Sequence, residues 1–238
     1  MWLIVAICSG AIIMWIILAK ERPLVTGKST GTRLSILKQA KSVLRVRDVW
    51  LVATMEICIS GALVSAIGLL PETLAERGTP SSTAGNYASL ITWGVAAANI
   101  IGPYISDRVG LRKAFIWPLL LTSSACATFL GILTGAPLIV LIVAFSLGLG
   151  AVLPLFKVLI IENESVGLSL AGSALGVIQT VNRIGAILMP VAMGAIIDST
   201  GQYWPGFFLL ALLLAFGALV VLKVRETGFK SKPADRSI

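Results

Sequence analysis

APLIVLIVAFSLGLGAVLPLF, residues 136–156, carries no charged side chain from end to end. As a helix rising 1.5 Å per residue, a run of about 20 residues crosses the roughly 30 Å hydrocarbon core of a bilayer. It lacks the alternating polarity of a membrane strand, so a helix is the expected form. Six further apolar runs flank it, at 2–19, 49–70, 87–106, 114–134, 168–197 and 205–222. The composition agrees with this reading. Of the 238 residues 57% are hydrophobic and 13% charged, against about half and a quarter in soluble domains. The expected fold is therefore an all-α integral membrane protein of about seven transmembrane helices. The run at 168–197 exceeds the need, so it is expected to tilt or project.

The net charge of +8 is not spread in the manner of a nucleic-acid-binding surface. The bases cluster between apolar runs, as in cytoplasmic loops of membrane proteins. The segment 20–48 holds Lys20, Arg22, Lys28, Arg33, Lys38, Lys41, Arg45 and Arg47 against Glu21 and Asp48. It is expected to be a cytoplasmic linker. Alternation then puts Arg108, Arg112 and Lys113 inside, the loop at Gly135 outside, and the tail 223–238 inside. The amino terminus falls outside, with 1–19 as a retained span, because Lys20 and Arg22 follow that run where a secretory signal would place charge before it. Leu34, Leu37, Lys41 and Leu44 have helical spacing, which fits either an amphipathic segment on the inner surface or an ordinary linker. The Gly-Lys-Ser triplet at 27–29 lacks the preceding glycine and the strand of a phosphate-binding loop. The three cysteines, Cys8, Cys58 and Cys126, all lie in apolar runs, and the chain has no histidine. They read as small buried residues, with no metal or cofactor site.

An internal repeat organises the rest. Pro103 is followed by Asp107 and Gly110, and Gly194 by Asp198 and Gly201, at an offset of 91 residues. One copy lies in an inside loop and the other in an outside loop. Runs two to four and five to seven are thus two inverted three-helix repeats forming one six-helix bundle at 49–222, a signature of secondary transporters.

The stretch Asp107, Arg108, Val109, Gly110, Leu111, Arg112, Lys113 resembles the signature loop of the major facilitator superfamily. The sixth run, with Gly172, Gly176, Pro190, Gly194, Asp198 and Gly201 leading to Tyr203 and Phe207, is similar to that superfamily's penultimate helix and following turn. The chain differs in having Pro103 where the loop usually opens with glycine, although Gly102 stands beside it. The resemblance implies that runs two to seven are helices seven to twelve and that 2–19 is helix six. It also implies a permease of the plasma membrane working by alternating access, without a cofactor. Its partners would be the bilayer, a small-molecule substrate, and an absent amino-terminal six-helix half or a second copy. The alternatives left open are a non-transporting subunit or sensor and an inactive truncated half.

Ionisable side chains inside a bilayer cost roughly 2.5–3.5 kcal/mol at a helix centre on insertion scales, so they face protein or a wet cavity. Glu56 and Arg183 qualify. Gln179 and Asn182 extend Arg183 into one polar strip, and Asn99 is a further candidate. Glu56 is read as the protonatable coupling group, and Arg183 as the positive partner of Glu56 or of a small anion. Arg112, with Asp107, Arg108 and Lys113 around it, is expected to latch onto Glu162 or Glu164 at the inner face. Trp93 reads as a packing or interfacial aromatic. Gly61, Gly68, Gly131, Gly148, Gly150, Gly172 and Gly176 read as close-packing points, and Pro118, Pro154 and Pro190 as kinks. An intramembrane enzyme is disfavoured, since no histidine is present and neither Asp107 nor Asp198 is deep.

Overall fold

The structure is a computed structural model that describes residues 9–10, 13–16, 18, 41–163, 165–224 and 226. It divides into two units, Met1–Leu34 and Ser35–Ile238. In the first, the described residues are helical, within the run expected at 2–19. The rest of that run, the linker residues 20–40, Glu164 and most of the tail lie outside the described residues.

Among its described residues the second unit holds six helices of membrane-crossing length and composition. They are α1 (Arg47–Glu76), α2 (Ser81–Val109), α3 (Arg112–Leu130), α4 (Ala136–Ile161), α5 (Gly167–Thr200) and α6 (Trp204–Val221). All six begin within about six residues of the start of an apolar run, and most extend past its end. Backbone hydrogen bonding continues beyond the hydrocarbon even after the side chains turn polar. The third helix instead stops at Leu130, four residues short of the apolar run, where the chain turns into Gly135 at φ 71°.

The repeated Asp-x-x-Gly has a structural cause. Gly110 (φ 74°) and Gly201 (φ 65°) are left-handed caps that end α2 and α5. Their N–H groups donate to Ser106 O at 2.9 Å and Ile197 O at 2.8 Å. A side chain in that conformation would be strained, so glycine recurs where each second helix of the repeat must stop.

The packing follows the repeat. First helix meets second helix of the other unit: α1 packs most on α5, and α2 on α4. The two third helices, α3 and α6, pack on each other. This exchange of partners is the pattern that a two-fold relation between the two three-helix units produces. Contacts at the bundle ends agree. At one end Arg112 meets Glu162 and Asn163 Nδ2 donates to Asp48 Oδ2 at 2.7 Å. At the other end Tyr203 OH donates to Glu76 Oε1 at 3.0 Å and Arg77 donates to Gly131 O.

Glycine sets how close the helices come. A Cβ on Gly61 would meet Met189, on Gly131 Phe207, on Gly148 Ser123, and on Gly150 the Val95 backbone. Gly68, Gly172 and Gly176 differ from the expectation: nothing stands within 4 Å of a Cβ there. They are not packing points within this unit. The seam that spacing did not single out is Gly94, Ala98 and Gly102 on α2, laid against Ser146, Gly150 and Ala151 on α4. Small residues at every fourth position let two backbones approach, and in lipid that contact replaces the hydrophobic drive. Pro118, Pro154 and Pro190 lie inside α3, α4 and α5.

Candidate functional site

Glu56 stands nine residues into α1 and Asn182 fifteen into α5, yet the two side chains meet. Asn182 Nδ2 donates to Glu56 Oε2 at 2.9 Å and to Gln179 Oε1 at 3.4 Å. The first turns of the overlong α5 therefore extend roughly 9 Å further than the start of α1, counted as six residues of rise. The two helices touch along a close seam. A Cβ on Gly185 would lie 2.6 Å from Ile57 O, and Ser60 Oγ donates to Asn182 O at 3.2 Å. Glycine at 185 is what lets α5 come near enough for Asn182 to reach a carboxylate on α1.

Glu56 is 1% exposed. Its Oε1 accepts no hydrogen bond from the described residues, so half of the carboxyl is buried without a protein donor. An unsatisfied buried acceptor costs about 1–3 kcal/mol. Among the described residues, Lys157 of α4 is a base whose charge bears on the buried Glu56; the sequence reading left it out because it lies one residue past an apolar run. The expected Arg183 partner is elsewhere. Arg183 is on the exposed side of α5, and no Glu56–Arg183 ion pair occurs among the described residues. Asn99 is exposed on α2, as is Trp93.

A second charged cluster closes the end of the bundle where α1 begins. Arg112 is 5% exposed. Its Nε and Nη2 donate to both oxygens of Glu162, each at 2.8 Å, and its Nη1 to Asp107 Oδ1 at 3.1 Å. The fork of a guanidinium fits a carboxylate with two parallel bonds, giving a strong and well-oriented pair. Glu226, unremarkable in a basic tail, accepts from the backbone N–H groups of Arg112 at 2.9 Å and Lys113 at 3.0 Å. Those are orphan donors at the amino-terminal end of α3, where a negative charge is favoured. Lys113 donates to the Leu222 carbonyl. Arg108 lies apart, over the Tyr104 ring at 4.5 Å. Gly110 serves as the cap between these groups.

The Arg112 cluster carries its own expected result. Because the Glu162 side chain retains 25% exposure, stranding it costs less than the 3–5 kcal/mol typical of a buried pair. Arg112→Met should lower stability by about 1–3 kcal/mol, with a Glu162→Gln cycle revealing a coupling of about 1 kcal/mol or more. Thermal unfolding of the detergent-solubilised chain measures both, and strictly additive losses would show that the pair does not act as a unit.

Among the described residues no group of three or more His, Cys, Asp or Glu side chains gathers to hold a metal. Cys58 and Cys126 are buried thiols, while Cys8 lies outside the described residues.

Comparison with known proteins adds the following. The family description "Major Facilitator Superfamily" matches residues 52–237. An uncharacterized protein of Archaeoglobus fulgidus is 27% identical over 203 residues, 84% of this chain and 91% of that protein. The sialic acid transporter NanX of Escherichia coli is 26% identical over 172 residues, 70% of this chain and 40% of that protein. The cyanate transport protein CynX of Escherichia coli is 26% identical over 171 residues, 72% of this chain and 44% of that protein. The chain thus spans less than half the length of these two transporters. In fold it is similar to the E. coli fucose:proton symporter FucP, with a TM-score of 0.76 at 16% identity, covering 94% of this chain and 54% of that one.

Proposed function

The chain belongs to the major facilitator superfamily, a family of membrane transport proteins, and on that premise we propose that it is the carboxy-terminal half of a secondary transporter for a small anion. In this reading 49–222 is the transport domain, 20–48 the linker and 2–19 a span of the preceding half. Alternating access arises when the half rocks against an amino-terminal six-helix partner or a second copy. The faces of α2 and α5 that carry Trp93, Ile100, Ile187 and Val191 are exposed and are the surfaces such a partner would cover.

One observation carries the proposal. A buried carboxyl, Glu56, is bonded by Asn182 between two helices of membrane-crossing length. A polar pair is retained within a bilayer at a cost and is a functional site by default. Glu56 carries the coupled proton, Asn182 and Gln179 hold it in register, and Arg183 and Asn99 face the substrate path. Arg183 supplies positive charge to an anion; sialic acid and cyanate, the cargoes named for two relatives, both carry negative charge. The Arg112, Asp107, Glu162 cluster, extended by Arg108, Lys113 and Glu164, latches one conformation of the inner face and releases in the other.

The function test is uptake. Vesicles carrying the chain, alone and with a six-helix amino-terminal unit encoded beside it, should accumulate labelled sialic acid or cyanate when an inward proton gradient is imposed. No uptake of either probe in either preparation would reject the anion reading. The orientation is checked separately. Cysteines introduced at Ser29 and Lys230 should react with an impermeant thiol reagent from the cytoplasmic side of the plasma membrane, and one at Ser82 from outside; labelling of Ser29 from outside would reverse the topology.

A further inference from the structure

A groove of about 460 Å³ lies apart from the Glu56 seam, between the start of α1 and the amino-terminal half of α5. Leu44 and Trp50 form one side, and Gly176, Val177, Thr180 and Val181 the other. Its walls are almost wholly apolar. Nothing stands within 4 Å of a Cβ at Gly176, so the α5 wall there is open space over bare backbone. Trp50 is 45% exposed, and its Nε1 donates to Leu44 O at 2.9 Å, closing residues 44–50 into one hydrogen-bonded loop.

That loop contains Arg45 and Arg47, and Lys41 precedes Leu44 by about one helical turn. All three bases are exposed, and none forms an ion pair among the described residues. The acid of the same segment, Asp48, is engaged elsewhere, by Asn163 Nδ2. An apolar groove at the end of a bundle of membrane-crossing helices, with a tryptophan in its wall and three exposed bases in the segment that supplies that wall, matches a lipid in both parts. Tryptophan settles at the level of the headgroups. Lysine and arginine at that level draw anionic phosphate.

We propose that this groove is a binding site for an anionic phospholipid, whose phosphate is held by Lys41, Arg45 and Arg47 and whose acyl chain lies along Leu44, Trp50 and Gly176–Val181. The site is independent of the Glu56 reading, because none of its residues belongs to that seam.

The full chain, purified from mixed phosphatidylglycerol and phosphatidylcholine bilayers into mild detergent, is assayed by native mass spectrometry for retained lipid. Wild type should hold phosphatidylglycerol in preference to phosphatidylcholine. The triple variant Lys41→Gln, Arg45→Gln, Arg47→Gln should lose at least about tenfold of that retention, since each base near an anionic headgroup contributes independently. Gly176→Leu, whose Cβ would meet nothing within 4 Å and whose side chain would occupy the groove, should also lose it several-fold with all three bases intact. Loss in the charge variant alone would mean attraction of headgroups to a basic surface, and would overturn the groove site. Equal retention of the two lipids by wild type, or retention unchanged in both variants, would overturn it as well.

Discussion

Gly150→Leu is expected to prevent the six-helix unit from assembling, while Gly176→Leu leaves its stability unchanged. A Cβ on Gly150 would lie 2.6 Å from Val95 O, 2.7 Å from Val95 Cα and 2.8 Å from Ala98 Cβ. Two of those atoms are backbone, so no rotamer change on α2 can relieve the clash. Relief requires moving α2 and α4 apart, which also undoes the approach of Gly102 to Ala151 and of Gly94 to Ser146. Helices in lipid gain little from hydrophobic burial and associate through close packing, so separation removes the source of the stability itself. Overpacking a core commonly costs 1–3 kcal/mol, and a clash with fixed backbone should exceed about 3 kcal/mol. Thermal unfolding and the monodisperse fraction in detergent report the outcome. A Gly150→Leu chain melting with wild type, or a Gly176→Leu chain losing as much, would contradict this account of the seam.

The contrast between those two glycines shows what the sequence makes legible. Both sit in apolar runs, and composition offers no way to tell a glycine facing a neighbouring helix from one facing open space. Even the four-residue spacing of Gly94, Ala98 and Gly102 does not mark them out in a chain rich in small residues; the close approach to Ser146, Gly150 and Ala151 does. The Asp-x-x-Gly repeat is legible, since a left-handed cap constrains residue type by itself and Gly110 and Gly201 report the same helix stop twice.

Register between helices is a different matter. Spacing groups Gln179, Asn182 and Arg183 on α5, but which of them faces Glu56 depends on how α1 and α5 slide and rotate against each other. The approach of Gly185 to Ile57 fixes that, and it brings Asn182 to the carboxylate while Arg183 turns to the exposed side. Lys157 escapes a search limited to charges within apolar runs, though a lysine one residue beyond a run can still act on a group inside the bundle. Glu226 escapes because its role is to cap α3, more than a hundred residues earlier in the chain. No local pattern announces such a long-range cap.

The largest functional effect is expected at Glu56. Glutamine matches its shape, and its carbonyl can still accept the Asn182 Nδ2 bond, so Glu56→Gln should preserve the α1–α5 seam and the fold. What it removes is the exchangeable proton. A coupled transporter so altered retains downhill movement of its cargo and loses the ability to accumulate it against a gradient, because cargo and proton no longer move as one unit. In vesicles under an imposed proton gradient, with whichever of sialic acid and cyanate the wild-type assembly takes up, the account predicts that Glu56→Gln equilibrates the probe without concentrating it. Uphill, proton-driven accumulation by Glu56→Gln at the wild-type level would contradict it.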